Sequence, residues 1–412
     1  MVQAIVLGAG MVGVTTALAL RDRGFDVTLF DRRPPGQETS FGNAGIIQSE
    51  SVEPYAMPRS LKDLFNIATG RSNDVYYTFR ELPAHVSTLL KYWWYSEAGR
   101  HRAIAVNYAR LIGRATGTHK PLIERAGAGN LIVRNGYRTL YRSQRALEEG
   151  IAKAERIRTA FGTVFRVTDA EETRREEPGF IDAGAGAIHW LDPWTVSDPG
   201  GLVSAYADLY RREGGVFIEA TVDGIDRVNN LWRIRAGSEV HEAEHLVIAL
   251  GVWSGALLDR FGLNFPMVLK RGYHAHYASP VALSTTTMDT ANGYVMAPMR
   301  AGTRITTGAH LTQPGQPPVY RQLERAEQAA RELIDLGTRV EDVPWSGTRP
   351  CMPDMLPVIG PVKDQPGLWL NFGHGHQGFT LGPASAEMLA TMIEGHVPEV
   401  DPAPFSAERY RR

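Results

Sequence analysis

Only one cysteine, Cys351, occurs in 412 residues, which excludes an intramolecular disulfide and any metal cluster built on thiolates. A reducing compartment is implied, so the expectation is a cytoplasmic protein, with peripheral contact to the inner face of a membrane left open. The twelve histidines show no H-E-x-x-H or comparable spacing, and no metal site is expected. No apolar run approaches 18 residues, so a spanning helix is not expected, and no basic and apolar leader precedes the first apolar run at residues 4–7. Surplus charge is missing too. With 44 basic against 45 acidic residues the net charge is -1, which argues against a nucleic-acid partner. No internal repeat is visible, and nothing in the sequence fixes an oligomeric state.

What is present is apolar material, 43% of the residues, enough for roughly two domains. The first fifty residues read as strand (4–7), glycine loop, helix (14–23) and strand (27–30), a βαβ opening. The same texture returns with a helix at 201–212, a strand at 216–221 and an apolar strand at 245–250, and again near the end with a strand at 368–372. There a closing helix is predicted to begin near Gly382, because Pro383 belongs in a first turn. Between these stretches the text differs. Residues 51–197 carry an aromatic segment at 89–95, expected to pack in a core, helical text at 142–158 and irregular Gly/Pro-rich text at 178–199. Residues 263–344 carry sheet text at 271–277 and 293–307 and a charged helix at 322–336. The division expected is therefore 1–50, 198–262 and 345–412 as one discontinuous α/β domain of Rossmann type, interleaved with 51–197 and 263–344 as an α+β domain on a mixed or antiparallel sheet.

Gly8-Ala9-Gly10-Met11-Val12-Gly13 lies between the first predicted strand and helix, the context that gives G-x-G-x-x-G its meaning. Gly8 permits the tight turn, Gly10 lets backbone approach a pyrophosphate, and Gly13 allows close helix–strand packing, with the helix N-terminus facing the negative charge. Asp31, followed by Arg32, closes the second strand about 20 residues past the last glycine, where a carboxylate accepts hydrogen bonds from a ribose 2′-hydroxyl. These residues indicate a dinucleotide and leave NAD and FAD open.

Two further small-residue loops, Glu38-Thr39-Ser40-Phe41-Gly42-Asn43-Ala44-Gly45 and Gly373-His374-Gly375-His376-Gln377-Gly378, are suited to close backbone approach. The first resembles the T-S-x-x-N-A-G segment and the second the G-H-G-x-x-G turn of the FAD-dependent D-amino-acid dehydrogenases and glycine oxidases. That resemblance implies FAD, with Ser40 near the pyrophosphate, Asn43, Ala44 and Gly45 along the flavin, and the loop from Gly373 to Gly378 at the ribityl chain and the N1–C2=O edge. Val222, where the family holds adenine, and Ala249-Leu250-Gly251 resemble family positions as well. Gly347-Thr348-Arg349-Pro350, continuing to Asp354, Pro357 and Gly360, resembles the family's G-x-R-P stretch, one residue shorter than its glycine-oxidase form. By that resemblance Arg349 clamps the substrate carboxylate, and guanidinium chemistry suits the task.

The run Arg271-Gly272-Tyr273-His274 resembles a segment facing the flavin, which makes Tyr273 a pocket candidate, with Tyr294, His310, His374 and His376 behind it. The spacing around Asp354 differs from that of amine oxidases that bind flavin through cysteine, so the cofactor is expected to be non-covalent. The implied reaction is hydride transfer from an amino acid Cα, most readily of a D-amino acid, to flavin N5. The imine formed hydrolyses to a 2-oxo acid, and oxygen, a quinone or another electron carrier reoxidises the flavin. A glycine or sarcosine oxidase, a D-proline or D-hydroxyproline dehydrogenase, and an FAD-binding component of a larger complex are the alternatives.

Overall fold

The computed structural model describes residues 2–70, 73–78 and 80–410. Met1, Arg411 and Arg412, at the outer ends of the expected division, and Arg71, Ser72 and Phe79, inside its second segment, lie outside the described residues.

The βαβ opening consists of the strand Gln3–Leu7, the helix Met11–Arg21 and the strand Asp26–Asp31. The helix starts three residues earlier than its apolar spacing suggests, because Gly10 caps it in an extended conformation (φ -76°, ψ -178°). It is sandwiched between its sheet and the helix Gly378–Ile393, so Val14, Ala17, Leu18 and Leu20 are all buried. Six strands form that sheet, in the order Val216–Glu219, Asp26–Asp31, Gln3–Leu7, His245–Ile248, Leu368–Phe372 and Val358–Pro361. The first five are parallel and the last is antiparallel. Segments distant in sequence thus end at one edge, where parallel α/β sheets place ligands.

The helix Gly378–Ile393 begins before Gly382 and carries Pro383 in its interior, which corrects the predicted start. Proline removes the amide that would serve the carbonyl four residues earlier, that of Phe379. His119, on the helix Ala115–Ala126, replaces it: Nε2 donates to Phe379 O (3.1 Å) and Thr380 O (3.2 Å), while Nδ1 accepts from the Tyr206 hydroxyl (3.0 Å). His119→Ala is expected to lower stability by about 1–3 kcal/mol, since buried carbonyls lose their donor, and thermal melts measure it. Burial holds the folded His119 at about 4 against an ordinary 6.5, so the unfolded chain binds the extra proton between these values. Its contribution is complete above the unfolded value and is lost as pH falls toward 4, so the stability gap between wild type and variant narrows across that window.

A larger ten-stranded sheet carries the second layer of the molecule. Its strand Val268–Tyr277 pairs antiparallel with Gly302–Thr307, Ala309–Leu311 and Trp345–Cys351. Strand Trp345–Cys351, drawn at the start of the third Rossmann-type segment, is hydrogen-bonded into this second sheet. Two expectations are corrected. Residues 178–199 are not irregular: they hold the strands Gly186–Trp190 and Trp194–Val196, the first fully buried between Tyr137–Tyr141 and Phe165–Asp169 and so lacking alternation. The aromatic segment 89–95 ends the helix Leu82–Tyr95, and of its aromatic residues only Tyr92 enters a core; Trp94 is 54% exposed and Trp93 38%.

Candidate active site

Four parallel strands deliver Gly8, Asp31, the turn at Ala249–Gly251 and Gly373 to the wall of one cavity of about 980 Å³. Glycine is required at two of the turn positions. Gly8 has φ +109° and abuts the Ala249 carbonyl, and a Cβ on Gly13 would overlap the Gly8 carbonyl. Ala9 N donates to Asp31 Oδ2 (2.7 Å) and Arg33 N to Oδ1 (3.1 Å), so Asp31 steadies the turn while facing the cavity. Burial raises its pKa and the backbone donors oppose that rise. Ser40 Oγ accepts from Met11 N (3.0 Å), which joins the loop of residues 38–45 to the helix start. Arg32 pairs with Glu38 (2.9 Å) and lies over the Trp253 ring.

Of the residues singled out from sequence, Gly8, Gly10, Met11, Val12, Asp31, Arg32, Ser40, Asn43 and Ala44 line this cavity. So do Val222, Ala249, Gly251, Tyr294, Arg349, Gly373, His374, Gly375, His376 and Gly378. Gly13 packs behind the turn, and Gly45 backs onto the Val196 carbonyl. Gln377 lies behind the wall and donates to Gln48 Oε1 (2.7 Å). Tyr273 is not on the wall: it is 0% exposed, and its hydroxyl meets His310 Nδ1 (2.7 Å) and the Val319 amide (3.2 Å). His310 goes with it, away from the cavity. The cause is strand parity. Along Val268–Tyr277, Arg271 and Tyr273 point away from the cavity, whereas Lys270 faces it and His274 stacks on Trp345 (4.9 Å between centroids).

Lys270, Trp345 and Arg304 were not found from sequence. Arg304, on strand Gly302–Thr307, is buried and donates to the carbonyls of Phe41 (3.0 Å) and Asn43 (2.6 Å), holding the loop that lines the cavity. Burial lowers its pKa to about 10, which leaves it charged at neutral pH. The cross-strand register sets Arg349 opposite Lys270 and Trp345 opposite His274. Arg349 donates to Gly308 O (2.6 Å) and Thr307 O (3.2 Å), and no carboxylate pairs with it among the described residues. Burial pushes His376 well below its ordinary range, with Arg349 and Lys270 acting in the same direction, so this ring is neutral. His374, pushed down to about 3 by burial, meets Ser385 Oγ (3.1 Å). Tyr294 keeps its hydroxyl beside the Arg142–Asp289 ion pair.

The pattern of the FAD dependent oxidoreductase family matches residues 3–392. This chain belongs to that family. It is 32% identical to a D-amino acid dehydrogenase of Cereibacter sphaeroides, over 98% of this chain and 95% of that protein. It is 28% identical to a D-amino-acid oxidase of Bradyrhizobium diazoefficiens, over 98% of both chains. Among solved structures, glycine oxidase from Geobacillus kaustophilus superposes with a TM-score of 0.76 at 22% identity over the whole of both chains. The protein is an FAD-dependent oxidoreductase. Its cavity fits the cofactor: a glycine turn with a helix start and a second glycine loop line it, and Thr306 Oγ1 and Asn371 Oδ1 on the wall are buried without a partner among the described residues.

Proposed function

We propose that this enzyme oxidises an amine adjacent to a carboxylate, with D-amino acids as the principal substrates. The observation that carries the proposal is the Arg349 guanidinium, on the cavity wall and without an acidic partner among the described residues. A guanidinium held by two backbone carbonyls is fixed in orientation, and its remaining N–H groups are suited to receive a carboxylate. When bound, FAD would supply the acceptor for the Cα hydrogen and its two electrons. Arg349 anchors the acid group, the neutral His376 adds no competing charge, and the wall residues exclude water; orientation alone contributes several kcal/mol toward reaction. The amine enters uncharged, and the imine takes up water to release a 2-oxo acid and ammonia.

In the same proposal Gly8, Gly10, Met11 and Val12 face the pyrophosphate, Asp31 the ribose and Val222 the adenine. Ser40, Asn43 and Ala44 and the loop from Gly373 to Gly378 would hold the flavin part of the cofactor, without a covalent bond. Residues 1–50, 198–262 and 345–412 form the cofactor domain, with Trp345–Cys351 lent to the substrate sheet. The test is anaerobic addition of D- and L-amino acids, glycine and sarcosine to the purified yellow protein. Bleaching of the flavin absorbance by D-amino acids is expected. A flavin that no amine reduces refutes the proposal and leaves an FAD-binding component of a larger complex.

One observation favours a membrane quinone as electron acceptor. The helices Leu61–Ala68 and Leu82–Tyr95 both line the cavity on one side and expose apolar residues on the other, Leu61 at 86%, Phe65 at 56% and Leu90 at 63%. Arg59 and Arg100 lie 3.6 Å from the Trp93 and Trp94 ring centroids, and this mixture of aromatic and basic groups suits a lipid–water interface. No helix among the described residues is long and apolar enough to cross a membrane. Sedimentation with anionic lipid vesicles is expected for the wild type and lost in a Trp93→Ser, Trp94→Ser double variant; equal sedimentation of both removes the quinone argument.

A further inference from the structure

Lys270 is the cavity group that the proposed reaction leaves without a task. It is 8% exposed and lines the main cavity, and the antiparallel register places it directly opposite Arg349. Directly opposed residues project from points about 5 Å apart, and two like charges so placed destabilise a sheet unless an anion lies between or beside them. The neighbouring Arg271 shows how this protein satisfies a cation when it intends no ligand: its guanidinium donates to the carbonyls of Gln313, Gln316 and Pro317. Lys270 has no such set. Its ammonium lies over the Tyr92 ring (4.3 Å) and reaches the Tyr92 hydroxyl at 3.3 Å, and no carboxylate pairs with it among the described residues. Cys351 supplies no negative charge, because burial pushes its thiol up from the ordinary value.

The two cations also serve different spaces. Arg349 lines only the main cavity, whereas Lys270 lines both it and a small recess formed with Tyr55, Tyr92, Tyr108, Cys351 and His376. A buried ammonium is costly without a counter-charge, and a mono-carboxylate seated on Arg349 would leave it unanswered. We propose that the substrate carries a second carboxylate, held by Lys270 at the mouth of this recess, so that the enzyme acts on an acidic amino acid or an imino-dicarboxylate. This rests on the reading of Arg349 as the anchor of the first carboxylate, and it narrows the substrate class to amines bearing two acid groups.

The holoenzyme is to be assayed with pairs that differ only in the second acid group: glutamate against glutamine and aspartate against asparagine, in both enantiomers, and iminodiacetate against sarcosine. Loss of one charge-assisted contact corresponds to about 10- to 100-fold, so the acidic member of at least one pair should lead in kcat/KM by that factor. In Lys270→Met the ratio should fall to near one, and in Lys270→Arg it should persist. A parallel titration follows the flavin absorbance with succinate and butyrate, which are not oxidised, and the wild type should bind succinate tighter by a similar factor. A wild type that prefers the amides or binds butyrate as tightly as succinate overturns the inference. So does a Lys270→Met variant that slows acids and amides equally, which would place the ammonium at the flavin instead. The titration decides independently of turnover, so a failure of amine oxidation itself is visible separately.

Discussion

Arg349→Ala is expected to lower kcat/KM roughly 100- to 10,000-fold for every amino acid the enzyme accepts. The figure follows from two charge-assisted hydrogen bonds to a partly desolvated carboxylate, each contributing about 1.5–3 kcal/mol. Arg349 also holds the carbonyls of Gly308 and Thr307, so part of any loss is structural. Three measurements separate the parts. The flavin spectrum and melting temperature report the wall, the affinity for an unreactive mono-carboxylate reports the anchor, and Arg349→Lys tests geometry, because a point charge restores attraction without the fork. Recovery of binding with little recovery of kcat would mean that the planar guanidinium sets the angle at which the Cα hydrogen is presented. An alanine variant with unchanged kcat/KM would remove Arg349 from the substrate site.

Gly13→Ala is expected to yield protein largely free of flavin and less stable by about 3 kcal/mol, the upper end for overpacking. The methyl would overlap the Gly8 carbonyl, and both atoms are backbone-anchored, so neither side-chain rotation nor a small shift relieves the clash. Displacing Gly8 moves the turn away from Ala249 and from the Asp31 carboxylate, which holds the Ala9 amide at 2.7 Å. The ratio of flavin to protein absorbance and a thermal melt are the readouts. Gly117→Ala is the control: it sits on the helix Ala115–Ala126, its added methyl meets nothing within 4 Å, and helix propensity predicts a gain of about 1 kcal/mol. Full flavin content in Gly13→Ala would show that the turn tolerates widening and that the cofactor is held elsewhere.

Much of the glycine-turn wall of the cavity was legible because its rules are local. The turn from Gly8 to Gly13 and Asp31 obey backbone sterics and strand spacing that act within some thirty residues, and the structure brings Gly8, Gly10, Met11, Val12 and Asp31 to one wall. The wall formed by the strand Val268–Tyr277 was read less well. Val268–Tyr277 is buried on nearly every residue, so no polar alternation marks which residues face inward, and it is Lys270, not Tyr273, that lines the cavity. The parity becomes readable only when Arg349 is paired across the strand, and that register is set by folding. Pro383 misled for a similar reason, since the donor that lets the helix run through it, His119, lies 260 residues away from Phe379. Arg304 left no trace either: its partners are backbone carbonyls of residues 41 and 43, and carbonyls are present in every sequence.

The order of the six-stranded sheet has a consequence for synthesis. Strand His245–Ile248 is flanked on one side by Gln3–Leu7 and on the other by Leu368–Phe372, so a growing chain carries it with one flank bare until residues 368–372 emerge, about 120 residues later. At about 5–20 residues per second the wait between these two strands lasts roughly 6–25 s. During that interval an apolar edge is open to pairing with other chains, and the flavin has only part of its seat. Chaperone holding of the nascent protein, and a yield that rises with slower expression, follow from the place this one strand takes in the sheet.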